Sequence, residues 1–253
     1  MSLAARIHSD GGEGPTLVYI PGIDGTGEYL LGTADRLREH FRLIMIEYFD
    51  DDSPLPDSYE HHAATLHEAL TEHNLHPDLL LAESFGGAVA LQYCLDHPGE
   101  IQGLALVNTF PWYRRRTKLR LTRLLFPLTR TRLFYALRRR LAPWALFGQL
   151  REPEALRLFQ ARTDPIFDSL YARRLALIAH LDLRPRLEEI DCPVLLFASE
   201  KDRVVDSVRQ ARLMHSLLPH SRLHIIPLGG HLILPLASIP WPQHLQSLLP
   251  TAR

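Results

Sequence analysis

Ser84 sits where the run LLLAESFGGAVAL, residues 79–91, changes from an apolar strand pattern to a helical one. A serine at such a strand-to-helix turn is held on a strained backbone with its hydroxyl lifted clear of the sheet. The N–H of the following residue then points to where negative charge would develop. Ala82 and Gly86 flank it at two before and two after, a G-x-S-x-G spacing with alanine in the first glycine position. The bland reading is a helix N-cap, since serine commonly precedes helices. A second candidate is PGIDGTG, residues 21–27, whose three glycines let backbone approach a reacting carbonyl and adopt positive φ. A plain glycine-rich turn is its alternative. A phosphate loop is disfavoured, because the Lys-Ser/Thr ending and the G-x-G-x-x-G spacing are both missing.

At these residues the chain resembles the α/β-hydrolase superfamily, and the resemblance implies a serine nucleophile, an acid and a histidine in that chain order. The acid is expected after the strand Val194 to Ala198, where ASEKDRVVD supplies Asp202, with Glu200 and Asp206 as rivals. The histidine is expected after the last strand, where IIPLGGHLILP supplies His231. By correspondence the N–H groups of Ile23 and Phe85 form the oxyanion hole, with Asp24 as an alternative to Ile23. The family often carries His-Gly in that loop, and here it is Pro21-Gly22. Asp24 and Trp112 are assigned to contact substrate. PGIDGTG together with ESFGG is similar to the hydrolase-like part of plant plastid acyltransferases that esterify phytol and diacylglycerol, although no second acyltransferase domain accompanies it. Serine at position 84 argues against the dehalogenase and epoxide chemistry that an aspartate there would indicate.

These residues need a scaffold that brings strand ends together. Short apolar runs at Thr16–Ile20, Arg42–Glu47, Leu79–Ala82, Leu104–Val107, Val194–Ala198 and Leu223–Ile226 read as strands, with a weaker one near Leu3–His8. Helical periodicity fills Tyr29–His40, Tyr59–His73, Gly87–Asp96, Ser207–Leu218 and Gln243–Leu249. This alternation predicts an α/β fold, a mostly parallel sheet flanked by helices, in a single domain spanning 1–253. It lapses after Asn108 and resumes near Cys192, a gap too long for an ordinary connection. A helical lid over about 111–186 is expected there, broken at Pro127, Pro143, Pro153 and Pro165. The resemblance puts such an insertion after the sixth strand.

Composition narrows the partners. Hydrophobic residues make up 46% and charged residues 23%, which is ordinary for a globular enzyme. Met1–Pro15 is polar and glycine-rich without a leader's apolar core, and no apolar run approaches the ~20 residues of a membrane span, so cytoplasmic residence is expected. Cys94 and Cys192 supply neither a disulfide framework nor metal-ligand spacing. The net charge of −1 conceals ten arginines and one lysine between Arg114 and Arg140, with no acidic residue among them. That run reads as a solvated lid face or as a docking surface for an acyl carrier protein, an anionic membrane surface or an acidic substrate group. Nucleic acid is disfavoured, because no recognition fold accompanies it. The acidic run Glu47–Asp52 reads as a solvated loop. His61, His62, His67, His73 and His76 read as scattered surface histidines without converging carboxylates.

The expected activity is hydrolysis of a small-molecule carboxylic ester or thioester through an acyl-Ser84 intermediate, with no cofactor or metal. Acyl transfer to an alcohol and a non-catalytic binding module on the same fold are the alternatives. An intact triad argues against the latter, since binding alone would not need those three residues.

Overall fold

The computed structural model describes residues 2–51, 57–113, 132–162 and 169–250. The strands are β1 (Ser2–Gly11), β2 (Thr16–Ile20), β3 (Arg42–Asp51), β4 (Leu79–Glu83), β5 (Gly103–Val107), β6 (Val194–Ser199) and β7 (Ser221–Ile226). They form one sheet in the order β1-β3-β2-β4-β5-β6-β7. β1 is antiparallel to β3, and every other pairing is parallel. β4, β5 and β6 are buried along their whole length, which is why they read as unbroken Leu, Ala and Val runs and not as an alternation.

The helices are α1 (Thr33–Arg38), α2 (Tyr59–Glu72), α3 (Phe85–Asp96), α4 (Arg132–Phe147), α5 (Pro153–Arg162), α6 (Ser169–Leu177), α7 (Ser207–Leu217) and α8 (Trp241–Gln246). The two faces of the sheet carry separate apolar cores. One gathers Val18, Leu80, Val89 and Leu196 under α2, α3 and α7, and the other gathers Leu17, Leu81, Phe197 and Trp241. Among the described residues, no helix is long and apolar enough to cross a membrane.

Two expectations are corrected here. Over its described part the acidic run is not a loop: Glu47 to Asp51 continue β3, because β1 runs on to pair with them, and Glu47 meets Arg6 and His8 across that ladder, while Asp52 lies outside the described residues. Pro143 does not break the insertion but lies inside α4, where it removes one backbone hydrogen bond. The helical insertion falls between β5 and β6, after Asn108. Of the basic run, residues 114–131 lie outside the described residues, so no docking role is read from them.

Candidate active site

Parallel strands with crossover helices put their carboxyl ends on one edge, where ligands bind in open α/β sheets. β2 ends into the Pro21–Gly27 loop, β4 into Ser84, β6 into the Asp202 turn, and β7 into the loop holding His231. Four segments far apart in sequence therefore meet at one rim.

The backbone at Ser84 has φ 51° and ψ −117°, a strained conformation for a residue with a Cβ. It is held in place by Ser84 N–H donating to Val107 O at 2.9 Å, and by Thr109 Oγ1 and the Gly87 N–H donating to Ser84 O. Gly86 is required: a Cβ there would fall 2.2 Å from Pro21 O, because the Pro21–Gly27 loop presses against the start of α3. The side chain of Phe85 anchors α3 from the other side, packing on Tyr59 and His62 with ring centroids 5.0 and 5.5 Å away. Its N–H lies in the first turn of α3, where backbone donors have no intrahelical acceptor.

Ser84 Oγ lies 3.0 Å from His231 Nε2, and His231 Nδ1 lies 2.8 Å from Asp202 Oδ2. An ionised carboxylate only accepts, so Nδ1 carries the proton and Nε2 presents its lone pair to the serine. The other oxygen, Asp202 Oδ1, accepts from the N–H groups of Val204 and Val205 at 2.8 and 3.0 Å. Its rivals Glu200 and Asp206 are exposed. Asn108, which follows β5 with φ 46°, donates through Nδ2 to Ser199 Oγ, Gly230 O and His231 O. It thereby ties the acid strand to the histidine loop.

A cavity of about 350 Å³ opens over Ser84. Gly22, Ile23, Asp24, Glu83 and His231 form its reactive wall, while Tyr29, Leu146, Tyr171 and Leu232 are among its apolar sides. Leu141 and Val204, both exposed, lie at its mouth. Ile23 and Asp24 are both among the residues that line it. Trp112 does not line the cavity: it bridges to Asp182 at the root of the insertion, with the Arg184 guanidinium stacked 4.1 Å above its ring.

Two residues of this site carried no local signal. Arg174, buried on α6, donates from Nε to Ile23 O at 2.8 Å and from Nη2 to Asp24 O at 3.0 Å. A cation from the insertion therefore fixes the Pro21–Gly27 loop through two of its carbonyls. Asp24 Oδ2 accepts from Thr26 N–H and Oγ1 within the same loop. Glu83, next to Ser84, is buried and accepts from Tyr19 OH at 2.5 Å. Burial, and then the Asp24 carboxylate, push Glu83 up to about 7; Tyr19 and His231 pull weakly the other way. Burial raises Asp24 as well.

A testable consequence follows for pH. Between pH 4.5 and 7 the unfolded chain has released the Glu83 proton while the folded chain still holds it, so stability falls as pH rises through that window. The displacement corresponds to about 3 kcal/mol. Above it, an anion beside Ser84 would also oppose an oxyanion. Urea midpoints of wild type should therefore fall more between pH 5 and pH 8 than those of Glu83→Gln. The alkaline decline of kcat/KM should also flatten in the variant. Parallel profiles for the two proteins would remove Glu83 as the titrating group.

Comparison with known proteins agrees with this architecture. A family model described as the alpha/beta hydrolase fold matches residues 15–237. RutD of Cronobacter sakazakii, a protein whose name proposes carbamate hydrolysis, is 30% identical over 93% of this chain and 89% of its own length. The enol-lactonase of Burkholderia xenovorans LB400 superposes with a TM-score of 0.79 at 18% identity, covering 97% of this chain and 95% of that one. The esterase RhEst1 of Rhodococcus sp. ECU1013 gives 0.75 at 19% identity, covering 97% and 93%. At those identities the solved structures speak for the fold alone.

Proposed function

We propose that this chain, which belongs to the α/β-hydrolase family, hydrolyses a small carboxylic ester or thioester through an acyl-serine intermediate. The observation that carries this reading is the hydrogen-bonded line from Ser84 through His231 to Asp202, set in the wall of an apolar cavity. His231 Nε2 takes the Ser84 proton as Oγ attacks the carbonyl carbon, and then returns it to the departing alcohol or thiol. Asp202 holds the imidazole in the required tautomer and stabilises its cation. The Ile23 and Phe85 N–H groups receive the oxyanion. Water, activated by the same imidazole, then releases the acid and restores Ser84.

A chain-length series of p-nitrophenyl esters on wild type and Ser84→Ala tests this proposal. The cavity's apolar sides favour medium acyl chains over acetate. Each methylene that leaves water contributes about 0.8 kcal/mol, or up to about fourfold in kcat/KM. A monotonic fall from acetyl to octanoyl would show a small or blocked acyl pocket.

A second reading, carbamate hydrolysis, is favoured by the name of the RutD relatives. A carbamate carbonyl would use the same nucleophile and oxyanion donors. The two readings separate in deacylation, because nitrogen lone-pair donation makes a carbamoyl-serine slow to hydrolyse unless the site is built for it. Sustained turnover of a p-nitrophenyl N-alkylcarbamate, at rates matching the isosteric ester, would favour the carbamate. A single stoichiometric burst followed by arrest would favour the ester.

A further inference from the structure

We infer that His67, His97 and Glu100 form a binding site for one divalent transition-metal ion, zinc by the chemistry of its donors. The site lies where α2 meets the C-terminal end of α3. The twelve residues of α3 span about 18 Å, so this cluster is well separated from the Ser84 elbow at the helix start.

The spacing of the three side chains fits a ligand set. His67 Nδ1 lies 3.3 Å from Glu100 Oε2, and His97 Nδ1 lies 3.6 Å from Glu100 Oε1. Hydrogen bonds between such groups close to about 2.9 Å, and a separation of 3.6 Å is not one. A tetrahedral zinc with bonds of about 2.0–2.2 Å instead requires neighbouring donor atoms about 3.3–3.5 Å apart. The three donor atoms here all lie within 4.8 Å of one another. Two imidazoles and a carboxylate match the mixed nitrogen and oxygen set that zinc accepts, leaving the fourth position for water.

The surroundings fit the same reading. Tyr93 OH donates to Glu100 Oε2 at 2.7 Å, the kind of outer contact that orients a ligating carboxylate. The His67 and His97 rings are stacked 3.9 Å apart and 7° from parallel, so both must turn about Cβ–Cγ for their lone pairs to converge on one ion. The side chains are 35% and 21% exposed, and that rotation gives up their mutual stacking. The expectation of scattered surface histidines holds for His73 and His76, which are exposed, and is corrected for His62 and His67. His62 is fully buried, and burial holds it down at about 4. His67 meets His97 and Glu100, which come from another helix end thirty residues on. An ion held there would join α2 to α3, the two helices whose Tyr59, His62 and Phe85 back the nucleophile turn.

The test uses the untagged full chain, stripped with chelator and titrated with zinc sulfate by calorimetry and by thermal melting. The expected result is one ion per chain at micromolar zinc and a rise in Tm, since an ion that binds only the folded state stabilises it. His67→Gln and Glu100→Gln should each weaken binding by about tenfold or more and remove the rise in Tm. His231→Gln should keep both, which separates this site from zinc captured at the reactive histidine. Absence of heat and of a Tm shift in the wild type would overturn the site. So would binding that survives both His67→Gln and Glu100→Gln, or that disappears with His231→Gln.

Discussion

Ser84→Ala is expected to lower ester turnover by about 10³-fold or more, toward the ~10⁶ lost when the nucleophile of a Ser-His-Asp unit is removed. His231→Ala should fall in the same range, and the double variant should be little worse than either, because the two groups act as one unit. The residue is buried and small, and alanine keeps the Cβ that the φ of 51° already accommodates, so Ser84→Ala should melt within a few degrees of wild type. Ser84→Gly provides an internal control. It removes the same hydroxyl but also relieves a positive-φ backbone, whose strain is of order 1–3 kcal/mol. It should therefore be as inactive as Ser84→Ala and at least as stable. Turnover is measured with a p-nitrophenyl ester, after purification that excludes host esterases, and the fold with near-UV circular dichroism. Ester turnover retained in Ser84→Ala would remove the mechanism.

Sequence patterning revealed the frame of this site more readily than its supports. The strands were legible because central parallel strands buried on both faces must be apolar throughout, as Leu79–Glu83 and Val194–Ser199 are apart from their polar ends. The ends of those strands then located Ser84, Asp202 and His231. The grip of Arg174 on Ile23 and Asp24 was not legible, because a buried arginine is recognisable only from the carbonyls it reaches, and these lie some 150 residues earlier. Asn108 was hidden for the same reason: a polar residue after a strand looks like any turn until Gly230 and His231 close over it. Pro143 misled because proline's cost in a helix is local, whereas packing of the whole helix can outweigh it. Trp112 misled because aromatic content in an insertion does not say which rings face the cavity. The full extent of β3 depended on its partner β1, and within Glu47–Asp51 the acidic residues masked the strand preference of Tyr48 and Phe49.

Asp202→Asn should reduce kcat by about 10⁴-fold while leaving the fold intact, and this tests the choice of acid directly. The carboxylate is almost fully buried, with Oδ2 facing His231 Nδ1 and Oδ1 facing two backbone donors. An asparagine has only one acceptor for these two demands. If its oxygen stays with Val204 and Val205, its NH₂ faces His231 and selects the tautomer with a bare Nδ1, which puts the imidazole proton on Nε2. That nitrogen then cannot accept from Ser84, and the nucleophile loses its base. If the amide turns over, its NH₂ meets the Val204 and Val205 N–H groups, and the turn carrying the acid loses its acceptor. The first arrangement keeps both backbone donors satisfied and disables the histidine without altering the cavity, so kcat should collapse while KM changes little. Glu200→Gln and Asp206→Asn alter exposed side chains and should remain near wild type; Asp206 stands at the N-cap of α7 without capping it through its side chain. A near-normal Asp202→Asn beside an inactive Asp206→Asn would transfer the role to Asp206, which requires a rearranged turn after β6.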